Sequence, residues 1–155
     1  MINAVKASIG YWVARRLMRF PRLVKNPKLW HWMEGQFARK AQLGSTSAQS
    51  FYGHILLYRG QGFGAKQEGV RLLKLAAHSG DAKSAYQLGV LAFKGDMTHA
   101  PEPLEAVKWW ELAAESGHAL AAKRLSDLYT SGAVGVAIDL PKAAHYSSQA
   151  SKYGL

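Results

Sequence analysis

Residues 75–89 read LAAHSGDAKSAYQLG, and this segment decides the predicted fold. Gly80 is suited to end a helix, because a residue without a Cβ enters the left-handed backbone region at little cost. Asp81 follows at once, and an aspartate in that position caps the start of a helix. Ala85 and Gly89 lie at helical spacing, on one stripe of the helix that follows. The segment therefore predicts a helix, a tight turn and a second helix.

Glycines recur at a fixed period on both sides of this segment. One series falls at residues 44, 80, 117 and 154, in steps of 36, 37 and 37. A second series falls at residues 60, 95 and 132, in steps of 35 and 37. Two interleaved series at one period indicate a tandem array of helix-turn-helix units, which bury their apolar faces by stacking on one another. We expect first helices near 47–59, 82–94 and 119–131, and second helices near 65–79, 102–116 and 139–153.

The pattern of small and aromatic residues across 85–117 resembles the Sel1-like repeat, a relative of the tetratricopeptide repeat. The matching positions are Ala85, Leu88, Gly89, Gly95, Glu105, Ala106, Trp109, Trp110, Ala113, Ala114 and Gly117. A second copy matches over 122–154. A looser copy precedes both, with Gly53 and His54 in the places of Leu88 and Gly89. The resemblance implies an all-α fold, a right-handed superhelical α-solenoid that binds other proteins, usually without catalysis.

Composition sets limits on the class of protein. The chain of 155 residues contains no cysteine, which excludes disulfides and thiolate metal sites. Its net charge of +10 is uneven, since residues 1–44 carry nine Lys or Arg and one acid, Glu34. An electrostatic partner is therefore expected at the N-terminal end. No apolar run is long enough to predict a transmembrane helix, and we expect a cytoplasmic protein, either free or peripheral to a membrane.

Residues 1–27 are predicted to form a basic amphipathic arm, and residues 28–155 the repeat domain with a preceding helix at 28–43. The apolar stripe of the arm consists of Val5, Ile9, Trp12, Val13, Leu17 and Phe20. One interpretation is that this stripe covers the first face of the solenoid, because terminal faces of such arrays need covering.

Three other interpretations of the arm stay open. Arginines beside Trp and Phe suit an anionic membrane surface, with contacts from Arg15, Arg16, Arg19 and Arg22. An organelle transit peptide would be similarly rich in Arg and free of acids, but richer in Ser. Nucleic acid is disfavoured, because no reading element accompanies the basic charge.

The sequence contains no recognisable catalytic motif. The six histidines form no helical metal-ligand set, and neither a nucleophile elbow nor a phosphate-binding loop occurs. The Gly60-x-Gly62-x-Gly64 run is interpreted as a link between helices. We therefore expect no enzyme activity, no cofactor, no metal and no small-molecule substrate.

A protein or peptide partner is expected on the concave face, which the first helices line. Beside the packing stripe of the second repeat lies a line of Lys83, Gln87, Val90 and Lys94. A shift of 35 residues gives Tyr52, Ile55 and Arg59 on the preceding first helix, and a shift of 37 gives Arg124 and Asp127 on the following one. This mixture of aromatic, aliphatic and charged side chains is common at protein interfaces.

Overall fold

The computed structural model describes residues 2–96 and 98–155, and every regular element in those residues is helical. The helices are α1 Ile2–Leu17, α2 Pro21–Val24, α3 Pro27–Gln42, α4 Thr46–Arg59, α5 Phe63–His78, α6 Ala82–Lys94, α7 Pro103–Glu115, α8 Ala119–Ser131 and α9 Leu140–Lys152. The all-α prediction is confirmed, and the predicted helix limits agree closely. Met1, in the predicted N-terminal arm, and Met97, between the predicted helices at 82–94 and 102–116, lie outside the described residues.

The turn that precedes α6 has the predicted geometry. Gly80 has a φ of +92°, and the Asp81 carboxylate accepts a hydrogen bond of 2.8 Å from the backbone N–H of Ser84. Each first helix of the three repeats begins with such a cap. Ser45 accepts from the N–H of residue 48 at 3.4 Å, and His118 accepts from that of residue 121 at 3.3 Å. These caps satisfy backbone donors that the first helical turn leaves open.

The chain divides into two compact units, Met1–Leu75 and Ala76–Leu155. In the first unit, α1 packs on α3, and α3 packs on α4. The centre of this unit is a cluster of Ala14, Met33 and Phe37 with one residue of α4. Because α1 contributes to that cluster, the boundary predicted at residue 27 falls inside the unit.

The arm packs through a different face from the one the sequence indicated. Ala7 and Ala14 are fully buried, whereas three residues of the predicted stripe are more than half exposed: Val5, Ile9 and Trp12. Gly10 lies between these two alanines, and a Cβ built on it would overlap the amide group of Gln36 on α3. The small residues of α1 therefore face α3, and these three larger apolar side chains face solvent.

In the second unit, α6 packs on α7, and α8 packs on α9. Gly89 lies so close to Trp110 that a Cβ on the glycine would overlap the indole. The indole is 2% exposed, and its N–H donates to the carbonyl of Tyr86 at 3.3 Å. Trp109 is half-buried and contacts the ring of His78, 5.4 Å away between centroids. One tryptophan of the pair is therefore core, and the other shows an edge to solvent.

Candidate partner-binding surface

The line predicted on α6 lies on the side of that helix opposite its core. Ala85, Leu88 and Gly89 are buried towards α7. Lys83 and Lys94 are exposed, and two residues between them, Gln87 and Val90, are half-buried. Within the described residues, neither lysine forms a salt bridge. The four side chains make a strip with a cation at each end and a neutral centre.

A matching line runs along α8. Arg124 and Asp127 are exposed, and Leu120 beside them is 47% exposed. Lys123 approaches Asp127 at 3.8 Å, an i,i+4 pair that offsets the negative charge. The exposed side of α8 is consequently cationic, with one aliphatic residue near the start of the helix.

The start of α8 is joined to α6 by a ring stack. Tyr86 and His118 have centroids 4.5 Å apart and planes inclined by 14°. Burial lowers the pKa of His118, and the positive charge of Lys83 lowers it further. Lys83 is therefore near the first turn of α8, and the lines on α6 and α8 lie on neighbouring helices.

The residues predicted on α4 do not form such a line. Ile55 is 8% exposed and belongs to the core with Ala14, Met33 and Phe37, so its assignment as a contact residue is wrong. Tyr52 is half-buried. Burial and the carboxylate of Glu34, to which its hydroxyl bonds, raise the pKa of Tyr52 to about 12.

Arg59 is exposed, but it does not extend from the α4 helix into open solvent. Its guanidinium lies 5.6 Å from the centre of the Trp30 ring, a cation–π contact within the first unit.

An error of one residue in the repeat register explains the misplaced α4 residues. The capping residues Ser45 and Asp81 are 36 apart, whereas Gly60 and Gly95, which set the predicted shift, are 35 apart. The difference arises because α4 has 14 residues and α6 has 13. Alignment by the caps places Gly53, not His54, opposite Gly89.

With the corrected register, the outer line of α4 consists of Ser47, Phe51, His54 and Tyr58. The start of this line is covered by α1. Arg15 donates to the Ser47 hydroxyl at 3.3 Å, and its guanidinium lies 4.9 Å from the centre of the Phe51 ring. Tyr58, at the other end, is 67% exposed. The position of the capping residues is the sequence signal that would have identified this line.

The four arginines predicted to meet an anionic surface are all exposed: Arg15, Arg16, Arg19 and Arg22. Arg15 is held in place by Tyr11 and by α4, with 3.1 Å between its nitrogen and the Tyr11 hydroxyl. Arg16 lies 5.6 Å from the centre of the Trp12 ring.

Across residues 2–96 and 98–155 no group of three or more His, Asp or Glu is placed to hold a metal ion. An open cleft in the first unit is lined by Met18, Pro21, Val24, Lys25, Trp30 and Arg59. None of the described helices has the length and apolarity needed to cross a bilayer.

Comparison with known proteins assigns the repeats. The Sel1 repeat model matches residues 46–81, 82–118 and 119–154, whose limits coincide with the capped starts of α4, α6 and α8. The mouse protein DAP3-binding cell death enhancer 1 is 38% identical over 96 residues, which cover 61% of this chain. The aligned segment spans only 18% of the mouse protein.

Solved structures share the fold. A protective antigen of uropathogenic Escherichia coli that displays an SLR fold superposes with a TM-score of 0.78 at 20% identity, covering 96% of this chain and 31% of that one. A Sel1 repeat protein from Oxalobacter formigenes superposes with a TM-score of 0.75 at 19% identity, covering 96% and 57%. The predicted fold class, an α-solenoid of Sel1-like repeats, is confirmed.

Proposed function

We propose, starting from the fact that this chain belongs to the Sel1 repeat family, that it is a non-catalytic scaffold that binds a protein or peptide. Sel1 repeat proteins are generally protein-interaction scaffolds and typically lack catalysis. The mouse relative is named for binding another protein, DAP3, which supports the same role here. A cytoplasmic location is part of the proposal.

We propose that the partner binds the exposed lines of side chains on α6 and α8 described above. The observation that carries this choice is the set of exposed cations, Lys83, Lys94 and Arg124, none of which is ion-paired within the described residues. Side chains that neither pack nor pair remain available to a ligand. Val90 and Leu120 add apolar area between them.

The charge on this surface selects the chemistry of the partner. Asp127 is offset by Lys123, so the remaining charge of the two lines is positive. A segment that carries carboxylates together with an aliphatic or aromatic anchor fits this surface. A helix or an extended peptide has the dimensions to lie along one or two helices of the array.

The test is affinity capture with the full chain and two charge-reversed variants. Lys83→Glu with Arg124→Glu should abolish capture of the specific partner, because it places two carboxylates against an acidic segment. Lys142→Glu with Lys152→Glu makes the same change in net charge on α9 and should retain that partner. Quantitative mass spectrometry compares the captured proteins, and circular dichroism checks that helicity is unchanged.

An identical set of captured proteins for the wild type and the Lys83→Glu/Arg124→Glu variant would remove α6 and α8 as the binding surface. Loss of the same proteins from the α9 variant would mean that capture reports net charge only.

A further inference from the structure

We infer that α1 attaches the protein to an anionic membrane surface, by inserting Val5, Ile9 and Trp12 among the headgroups. These residues lie in the first compact unit, whereas the proposed scaffold surface on α6 and α8 lies in the second. These three side chains lie on an exposed face of α1.

The three side chains form one stripe, at i, i+4 and i+7, on the side of α1 that faces away from α3. Val5 is 57% exposed, Ile9 59% and Trp12 61%. The opposite side holds the fully buried Ala7 and Ala14. A ridge of large apolar side chains in solvent is unfavourable unless another surface covers it.

On α4, the face equivalent to the α1 stripe is covered by another helix. The comparison indicates that the α1 stripe is a helix-packing face. Each of Gly10, on α1, and Gly53, on α4, faces the second helix of its own pair. Aligning these two glycines places the α1 stripe over Ala48, Tyr52 and Ile55.

Those three residues of α4 pack against the preceding helix, α3. Ala48 clusters with Ala41, Ile55 clusters with Phe37, and the Tyr52 ring lies 6.3 Å from the Phe37 ring. The stripe on α1 is therefore a stacking face whose covering helix is absent from the described residues. It has the apolar character of an interface rather than that of an ordinary solvated surface.

The charge around the stripe indicates which kind of surface binds it. Seven cations and no acid precede Glu34: Lys6, Arg15, Arg16, Arg19, Arg22, Lys25 and Lys28. All seven are exposed, and within the described residues none forms a salt bridge. A second copy of the same face would bring two sets of these cations together, so self-association is disfavoured.

An anionic bilayer satisfies both features of the face. Its headgroups neutralise the arginines, and its interfacial region accepts tryptophan and aliphatic side chains. Phe20 and Leu23, which follow α1, are 54% and 40% exposed and add apolar contacts to the same basic segment.

The experiment is sedimentation of the full chain with vesicles. We expect binding to mixed phosphatidylglycerol and phosphatidylcholine vesicles, little binding to phosphatidylcholine alone, and weaker binding as salt rises. Ile9→Gln with Trp12→Gln should weaken binding by at least about tenfold, since it removes two inserting side chains without touching the core.

Charge is tested by a matched pair of variants. Arg16→Glu with Arg19→Glu should weaken vesicle binding by at least about tenfold. Lys66→Glu with Lys74→Glu reverses two exposed lysines on α5 and should leave vesicle binding close to that of the wild type. Circular dichroism of each variant shows whether the helices are retained.

Three results would overturn the inference: no sedimentation of the wild type with anionic vesicles, equal sedimentation with phosphatidylcholine alone, or full binding by Ile9→Gln/Trp12→Gln. Loss of a captured acidic protein by that variant, with no vesicle binding by the wild type, would assign the face to a protein instead. Because the scaffold test changes only α6, α8 and α9, either proposal can fail without the other.

Discussion

The phenol ring of Tyr86 lies flat on the imidazole of His118, with ring centroids 4.5 Å apart. The same imidazole caps α8, because its Nδ1 accepts a hydrogen bond from the backbone N–H of Ala121. Only the neutral ring has the lone pair that this bond needs. One side chain thus joins α6 to α8 and also begins α8.

The His118 cap predicts an acid-sensitive stability. Burial and Lys83 hold the pKa of His118 below 6.5, its ordinary value, in the folded protein. Below about pH 6.5 the unfolded chain therefore binds more protons at this residue, so the free energy of unfolding falls as pH falls. His118→Asn keeps a capping acceptor and removes the titration.

Urea unfolding between neutral and mildly acidic pH measures this effect. The difference in stability between the wild type and His118→Asn should move in favour of the variant as pH falls. A difference that does not change with pH would show that the cap tolerates protonation.

Gly89→Ala should destabilise the protein by about 1–3 kcal/mol, because the new Cβ overlaps the Trp110 indole in a packed core. Gly35→Ala is the matched control. Gly35 lies within α3 and has no atom within 4 Å of a built Cβ, so alanine should stabilise by about 0.5–1 kcal/mol through helix propensity. Thermal melting of both variants checks the pair, and equal shifts would contradict the close approach.

Gly80→Val should also destabilise, by about 1–3 kcal/mol, but for a different reason. A Cβ at Gly80 meets no atom within 4 Å, so the cost comes from the backbone, whose φ of +92° is strained for a β-branched residue. Gly80→Asn should cost less, since asparagine tolerates positive φ. If valine and asparagine lower the melting temperature equally, backbone strain is not the cause.

Glu111→Ala should destabilise the second unit by about 1–3 kcal/mol, since it removes the acceptor of two tyrosines. Glu111 accepts a 3.3 Å hydrogen bond from each of the Tyr129 and Tyr146 hydroxyls. Burial, aided by the charge of Glu111, raises the pKa of Tyr146 to about 12. Glu111→Gln retains an acceptor and should lose less stability. Near-equal melting of the alanine variant and the wild type would contradict this role.

Most of the helices were predictable because their ends carry strong local signals. Gly80 ends one helix and Asp81 caps the next. Pro103 and Pro141 lie in the first turns of α7 and α9, where the missing backbone N–H of proline costs little. These signals depend only on residues adjacent in sequence, so they can be recognised without knowing how the helices pack.

The choice of buried face was less predictable. On α1 the sequence shows a clear apolar stripe through Trp12, yet the fully buried residues are Ala7 and Ala14. Which side of α1 is buried depends on how α3 packs against it, and this packing is a property of the two helices together. The hydrophobic periodicity of one helix therefore does not determine which side is buried.

The error on α4 was avoidable. The predicted line was set by the glycine at the end of α4 and was therefore shifted by one residue. As a result it included Ile55, which is buried, and omitted Tyr58, which is exposed. The start of a helix fixes its register more reliably here, because Ser45, Asp81 and His118 each bind the first turn directly.

The open stacking face of α1 also sets a limit on growth of the array. A further helical pair placed upstream would cover Val5, Ile9 and Trp12, as α3 covers Ala48 and Ile55. The same three side chains would then be withdrawn from any lipid. Lengthening the solenoid in that direction and anchoring it are therefore mutually exclusive, and fusing a designed hairpin to this end should release the protein from vesicles.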